Sequence, residues 1–147
     1  MWTTNTYEET INIYRDYVEK RLDKVDLDSS LKDILIRIEI LKRDFTKRQS
    51  NIVLFIYTFS IKIYKDKALI PNMQDFELCG VNKNKIKSEL EKLVEMNVID
   101  WDRGSQEFRL KDPQDWDAPH HYGYNENRLQ ELLKINIADE EESEIKL

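Results

Sequence analysis

Leu78-Cys79-Gly80-Val81-Asn82-Lys83-Asn84-Lys85-Ile86 is the stretch whose reading decides the fold. Gly80 tolerates the left-handed backbone that ends a helix, and Val81-Asn82 leads directly into a new periodic run. In that run Ile86, Leu90, Leu93 and Val94 fall on one face, while Asn84, Ser88, Glu91 and Glu95 point the other way. A short helix before the glycine, opened by Pro71, and an amphipathic helix after it form a helix-turn-helix signature. Beyond it, Val98-Ile99-Asp100-Trp101 and Glu107-Phe108-Arg109-Leu110 alternate like two strands. Between them lies Asp102-Arg103-Gly104-Ser105-Gln106, whose Asp, Gly and Ser favour a turn.

Upstream, Thr46 and Gln49 match the S/T-x-x-E/Q capping box, so a helix starts there. Ile52, Phe55, Ile56, Phe59 and Ile63 form one face and Val53, Leu54 and Tyr57 fill much of the other, which predicts a central helix nearly surrounded by protein. Ala68-Leu69-Ile70 is a short extended candidate. The expected fold is mainly α with a small β-hairpin: a winged helix-turn-helix over residues 45–112, the hairpin being the wing, with flanking N- and C-terminal helices.

The flanks are helical. Tyr7, Ile11, Tyr14, Val18, Leu22 and Val25 mark an amphipathic helix from about residue 6 to 25. Asp28 is placed to cap a second helix with apolar positions Leu31, Ile34, Leu35, Ile38 and Leu41. Together they predict a helical hairpin over residues 1–44, which either packs on the main domain or dimerises through the roughly heptad-spaced stripe of its first helix. Residues 113–137 read as a docking loop and a helix with Leu129, Leu132 and Leu133 on one side. Residues 138–147 hold five acids and read as a tail, disordered when unbound.

Composition narrows the function. The 147 residues are 40% hydrophobic and 35% charged, with no apolar run of membrane-spanning length and no leader-like N-terminus. With a single cysteine, Cys79, this predicts a soluble cytoplasmic protein with no membrane partner. The net charge of −6 is unevenly spread: residues 1–41 carry −3, residues 42–112 carry +3 and residues 113–147 carry −6. Phosphate contacts are therefore expected in the middle segment. Three glycines in the whole chain leave little room for a phosphate loop, no nucleophile motif appears, and the adjacent His120-His121 pair lacks the spacing of a zinc site. No enzymatic activity, metal or cofactor is expected.

Double-stranded DNA is the expected partner. In a helix-turn-helix the second helix enters the major groove by its N-terminal half, here Lys83, Asn84, Lys85, Lys87 and Ser88. Asn84 has the donor and acceptor for a two-bond pairing with adenine, whereas the lysines, Lys92 among them, neutralise phosphate. Arg103 at the wing tip suits the minor groove or a phosphate, and Lys47 and Arg48 suit the backbone. Trp101, Trp116, Tyr122 and Tyr124 are assigned to packing.

Phe45-Thr46-Lys47-Arg48-Gln49, the aromatic-rich helix, Leu78 to Ile86, and Leu90-Glu91-Lys92-Leu93-Val94-Glu95-Met96-Asn97-Val98-Ile99 together resemble the N-terminal domain of phage replication protein O. Related winged helices occur in DnaD-type replisome organisers. The resemblance covers about half the chain and implies binding to repeats in a replication origin. The recognition helix is lysine- and asparagine-rich where the family usually carries arginines. A transcriptional regulator shares the same mechanism. The acidic balance leaves a second class open: an adaptor or inhibitor that uses the fold to hold a replication or transcription protein.

Overall fold

The computed structural model describes residues 4–20 and 27–145, and its centre is helix α3 (Lys47–Thr58). Both halves of the capping box form: the Gln49 amide donates to Thr46 Oγ1 at 3.2 Å and the Thr46 amide to Gln49 Oε1 at 3.0 Å. Two otherwise orphaned donors are satisfied, and Gln49 is buried in the process. Ile52, Val53, Ile56 and Tyr57 are buried, so apolar surface covers more than one face of the helix. Leu54 and Phe59 remain exposed.

After a 3-10 turn at Ile61–Ile63, strand β1 (Ala68–Leu69) pairs antiparallel with β3 (Glu107–Leu110), which pairs on its other edge with β2 (Ile99–Asp102). The sheet order is β1-β3-β2, with Ala68 opposite Phe108 and Ile99 opposite Leu110. The hairpin therefore gains a third strand from the Ala68-Leu69-Ile70 segment. Phe76 and Phe108 meet at 5.2 Å and Phe55 and Phe76 at 5.3 Å, tying the sheet to α3 through aromatic contacts. Each such side chain contributes roughly 1.5–3 kcal/mol on burial, so no single one decides the fold.

The helix-turn-helix takes a tighter form than a pair of α-helices. The segment before the turn, Met73–Cys79, is a 3-10 helix capped by Asn72. It ends at Gly80, whose φ of 90° is the left-handed conformation a side chain resists. An added Cβ would meet nothing nearer than Asn51 Nδ2 at 3.8 Å, so backbone conformation rather than space calls for glycine. Asn82 then caps α4 (Lys83–Glu95), its side chain accepting from the Asn84 amide at 3.0 Å. Ile86, Leu90 and Leu93 are buried, but Val94, expected on the same face, is exposed. Glu89 takes the remaining buried position. This order of helices and strands is that of a mainly α, winged-helix-like fold.

The flanking helices depart from expectation. Helix α2 (Leu27–Lys42) docks through Ile36 and Ile40, whereas Ile34, Leu35 and Leu41 of the expected inner stripe are 50%, 59% and 73% exposed. The polar neighbours of the docked face explain the rotation: Arg37 Nε donates to the Tyr57 hydroxyl at 3.2 Å, and Asp33 lies 3.9 Å from Lys62. Asp28 falls inside the first turn rather than at the cap. Helix α1 spans Thr4–Glu19. Leu22 and Val25, with the side chains of Tyr7, Tyr14, Val18 and Leu31, lie outside the described residues. Helix α5 (Glu126–Ile145) carries helical backbone through residues 138–145, where disorder was expected. Glutamate is a good helix former, and five of these eight residues are Glu or Ala additions to an existing nucleus, 140–142 being consecutive glutamates. Residues 146–147 are outside the described set.

The connection before α5 is clasped to the α2–α3 junction. The Asp44 amide donates to the Pro119 carbonyl at 2.7 Å and the His121 amide to the Lys42 carbonyl at 2.9 Å, with Arg43 bridging His120 between them. Trp116 is buried against Phe45 at 5.8 Å, and Tyr124 lies 4.4 Å from the His120 ring. Tyr122, assigned to packing from sequence, is instead fully exposed, since it sits at the outer turn of this clasp. Among the described residues no helix is long and apolar enough to cross a membrane.

Candidate nucleic-acid interface

Helix α4 is anchored by one face and open on the other. At about 100° per residue, the buried quartet Ile86, Glu89, Leu90 and Leu93 occupies one side. The opposite side is centred on Asn84, Ser88, Glu91 and Glu95. Lys87 flanks that centre on one edge, and Lys85 and Lys92 on the other. Lys83, Asn84, Lys85, Lys87 and Ser88, the N-terminal half of the helix, are all exposed. Ser88 spends its hydroxyl proton on the Lys85 carbonyl at 3.1 Å, leaving its oxygen as an acceptor toward solvent. Glu91 and Glu95 share the outward face but lie about 10 and 16 Å further along the helix than Asn84, at 1.5 Å per residue.

Several cations are paired: Lys42 and Arg43 with Glu39, Arg37 with Asp33, Lys62 with Asp33, Arg109 with Asp100, and Arg128 with Glu131. Lys47, Arg48, Lys83, Lys85 and Lys87 form no ion pair among the described residues. Lys92 differs from them. Its ammonium lies 3.6 Å from Glu89, a buried carboxylate whose second oxygen has no hydrogen-bond partner. Part of the Lys92 charge is thereby already committed inside the protein.

Lys47 and Arg48 sit exposed in the first turn of α3. Asn51, one turn on, is the residue next to Gly80, so the start of α3 lies on the side of the helix-turn-helix turn. That turn borders an open depression of about 560 Å³ lined by Glu77, Gly80, Val81, Asn82, Lys83 and Asn84.

The wing tip is a built turn. Asp102 Oδ1 accepts from the Gly104 amide at 3.0 Å and the Ser105 amide at 3.2 Å. These bonds, Ser105 first, hold the Asp102 carboxyl below its usual range, with Lys67 adding a favourable charge. The left-handed residue of the turn is Gln106, at φ 55°, rather than Gly104. Arg103 is exposed, and its guanidinium lies 4.1 Å from the centre of the Trp101 ring. On the outer face of the hairpin, Asp100 pairs with Arg109 and lies 3.8 Å from Lys111.

The expected site residues thus fall into an α4 group, a pair at the start of α3, and Arg103 on the wing. Lys67 escaped the sequence reading. Its proximity to Asp102 follows from the pairing of β1 with β3, a long-range contact with no local signal. Gln106 escaped it too: its amide oxygen accepts from the Trp101 indole at 2.8 Å, a cross-turn bond between residues five apart. Cys79 is half-buried, and burial pushes its thiol up from the usual value, so it stays protonated near neutrality. Among the described residues no three His, Cys, Asp or Glu side chains converge as metal ligands.

The family described as bacteriophage replication protein O matches residues 29–116, from the first turn of α2 through the wing to the buried Trp116. No curated protein and no solved structure gives a significant match. The matched segment is well over half of the chain and contains every element of the candidate interface, so the chain belongs to the bacteriophage replication protein O family, and with it to phage DNA replication.

Proposed function

We propose that this protein binds double-stranded DNA sequence-specifically as an origin-recognition component of phage replication, using α4 in the major groove and the wing beside it. The observation that carries the reading is the α4 surface: Asn84 and Ser88 centred on an exposed face, flanked by Lys85 and Lys87, which form no ion pair among the described residues, with the opposite face buried. Asn84 supplies the base-edge contact, and Ser88 offers an acceptor to an amino group of adenine or cytosine. Lys47, Arg48, Lys83, Lys85, Lys87 and Arg103 supply the phosphate-directed charge, with Lys92 a weaker contributor. The role is recognition without catalysis, in the cytoplasm.

Fluorescence anisotropy with fragments from the protein's genomic neighbourhood tests this. Six cations at phosphates give a slope of log K against log salt of about −5, or roughly 10³-fold weaker binding between 50 and 200 mM salt. Asn84→Ala should abolish preference for the best fragment, and Lys85→Ala should weaken all fragments and flatten the slope by about 0.9. Negligible binding at every salt concentration refutes the reading and favours a protein-holding adaptor.

A homodimer is the second part of the proposal. It is supported by Ile34, Ile38 and Leu41 on α2, which repeat at four- and three-residue steps on a face that includes the exposed Ile34 and Leu41. Dimers would present two α4 helices to a palindromic site about one DNA turn long. Sedimentation equilibrium of the wild type and Leu41→Glu distinguishes dimer from monomer.

A further inference from the structure

The wing carries a layered arrangement that the phosphate-directed role of Arg103 does not require. Phe108 is fully buried, and Trp101 stacks on it with centroids 5.7 Å apart and planes at 18°. The indole N–H of Trp101 donates to Gln106 Oε1 at 2.8 Å, which fixes the ring in its plane. The Arg103 guanidinium lies over that ring at 4.1 Å. Buried benzyl, anchored indole and exposed guanidinium thus follow one another from the core to the tip.

This contact decides what Arg103 has left to offer. Its guanidinium carbon is held over the indole, Arg103 makes no ion pair among the described residues, and its N–H donors remain for a ligand. Asp102 closes the turn through Gly104 and Ser105, so the backbone bearing Arg103 is held as well. A rigid, flat, donor-only group at the end of a narrow hairpin matches a groove that displays acceptors alone. In the DNA minor groove, A·T pairs show only acceptors, whereas G·C pairs add the guanine N2 amino donor, which opposes a guanidinium edge.

We propose that Trp101 is a positioning residue that presents Arg103 edge-on to the minor groove, so that the wing discriminates against the guanine N2 amino group. This deepens the DNA-binding reading above and rests on it. Trp101 itself touches no base: it acts through Arg103, and Gln106 acts through Trp101.

Matched alternating duplexes of inosine–cytosine and guanine–cytosine isolate the effect, because they present the same groups in the major groove and differ in the minor groove by the N2 amino group. Wild-type protein is expected to bind the inosine duplex about five-fold more tightly, the lower bound for one good base-edge contact. Trp101→Leu and Arg103→Lys should bring the ratio to one, the latter while keeping the salt slope. Trp101→Phe, which keeps an aromatic platform, should restore most of the preference. Lys85→Ala should weaken both duplexes equally and leave the ratio intact. Equal wild-type affinity for the two duplexes, or an unchanged ratio in Trp101→Leu protein that retains its far-ultraviolet circular dichroism, overturns the proposal. Failure to bind these duplexes and every genomic fragment at low salt instead overturns the DNA-binding reading, and this inference with it.

Discussion

Replacing Arg43 with Met should destabilise the protein more than any other single change outside the core. The Arg43 side chain is only 13% exposed. Its Nη1 donates to the Ala118 carbonyl at 2.7 Å and, at the 3.5 Å limit, to the Trp116 carbonyl, while Nη2 donates to the Pro113 carbonyl at 3.0 Å. Nε donates to Glu39 at 3.0 Å, and the guanidinium lies 5.6 Å from the Trp116 ring centre. A hydrogen bond from a charged donor contributes roughly 1.5–3 kcal/mol, and removing one partner of a buried ion pair costs about 3–5 kcal/mol. These contributions overlap, and methionine retains the apolar stem, so we expect a net loss of about 3–4 kcal/mol. In a chain of this size 1 kcal/mol shifts Tm by roughly 2–4 °C, giving a fall of about 10 °C by thermal circular dichroism. Arg43→Lys keeps the charge beside Glu39 but cannot span carbonyls from Pro113 to Ala118, and should recover about a third of the loss. A fall below about 3 °C for Arg43→Met, or full recovery with lysine, would refute this account of how residues 113–118 are held.

Two further outcomes follow from charged groups in the fold. Glu89→Met removes a buried carboxylate with one unpartnered oxygen, so stability should be unchanged or rise by about 1–3 kcal/mol, and the released Lys92 should steepen the salt dependence of DNA binding; a Tm drop of more than about 4 °C would count against it. The Asp102 carboxyl is held below 3.8 by the Ser105 and Gly104 amides; a depressed folded pKa means its contribution is present above the unfolded value and disappears as pH falls through the folded one. The Gly104 and Ser105 amide resonances should therefore shift with a midpoint below 3.8 and stay flat in Asp102→Asn, and a midpoint at or above 3.8 would contradict the turn geometry.

Elements governed by local chemistry were legible from sequence. The capping box at Thr46 and Gln49, the left-handed stop at Gly80 and the Asn82 cap each involve residues no more than three apart. What the sequence could not reveal depends on distant partners. Leu31, Ile34, Ile38 and Leu41 form a regular stripe, yet α2 is oriented by Ile36, Ile40 and the Arg37–Tyr57 bond, because tertiary contacts and not periodicity choose the docked face. The third strand and the place of Lys67 depend on pairing across about forty residues. In the candidate site, the exposure of the α4 lysines was readable from the helical repeat. The commitment of Lys92 to Glu89 was not, since nothing local marks a glutamate as buried.

The clasp between residues 42–44 and 119–121 also sets the path of mechanical load through the molecule. Residues 44–119 form a loop whose neck is closed by the Lys42–His121 and Asp44–Pro119 bonds and by Arg43. Tension applied between residues 42 and 121 meets that neck first, and it meets the two backbone bonds in series, as in a zipper. The neck acts as a fuse: α4 and the hairpin stay unstrained while it holds, and a pull across it can open the neck without first unfolding the exposed face of α4.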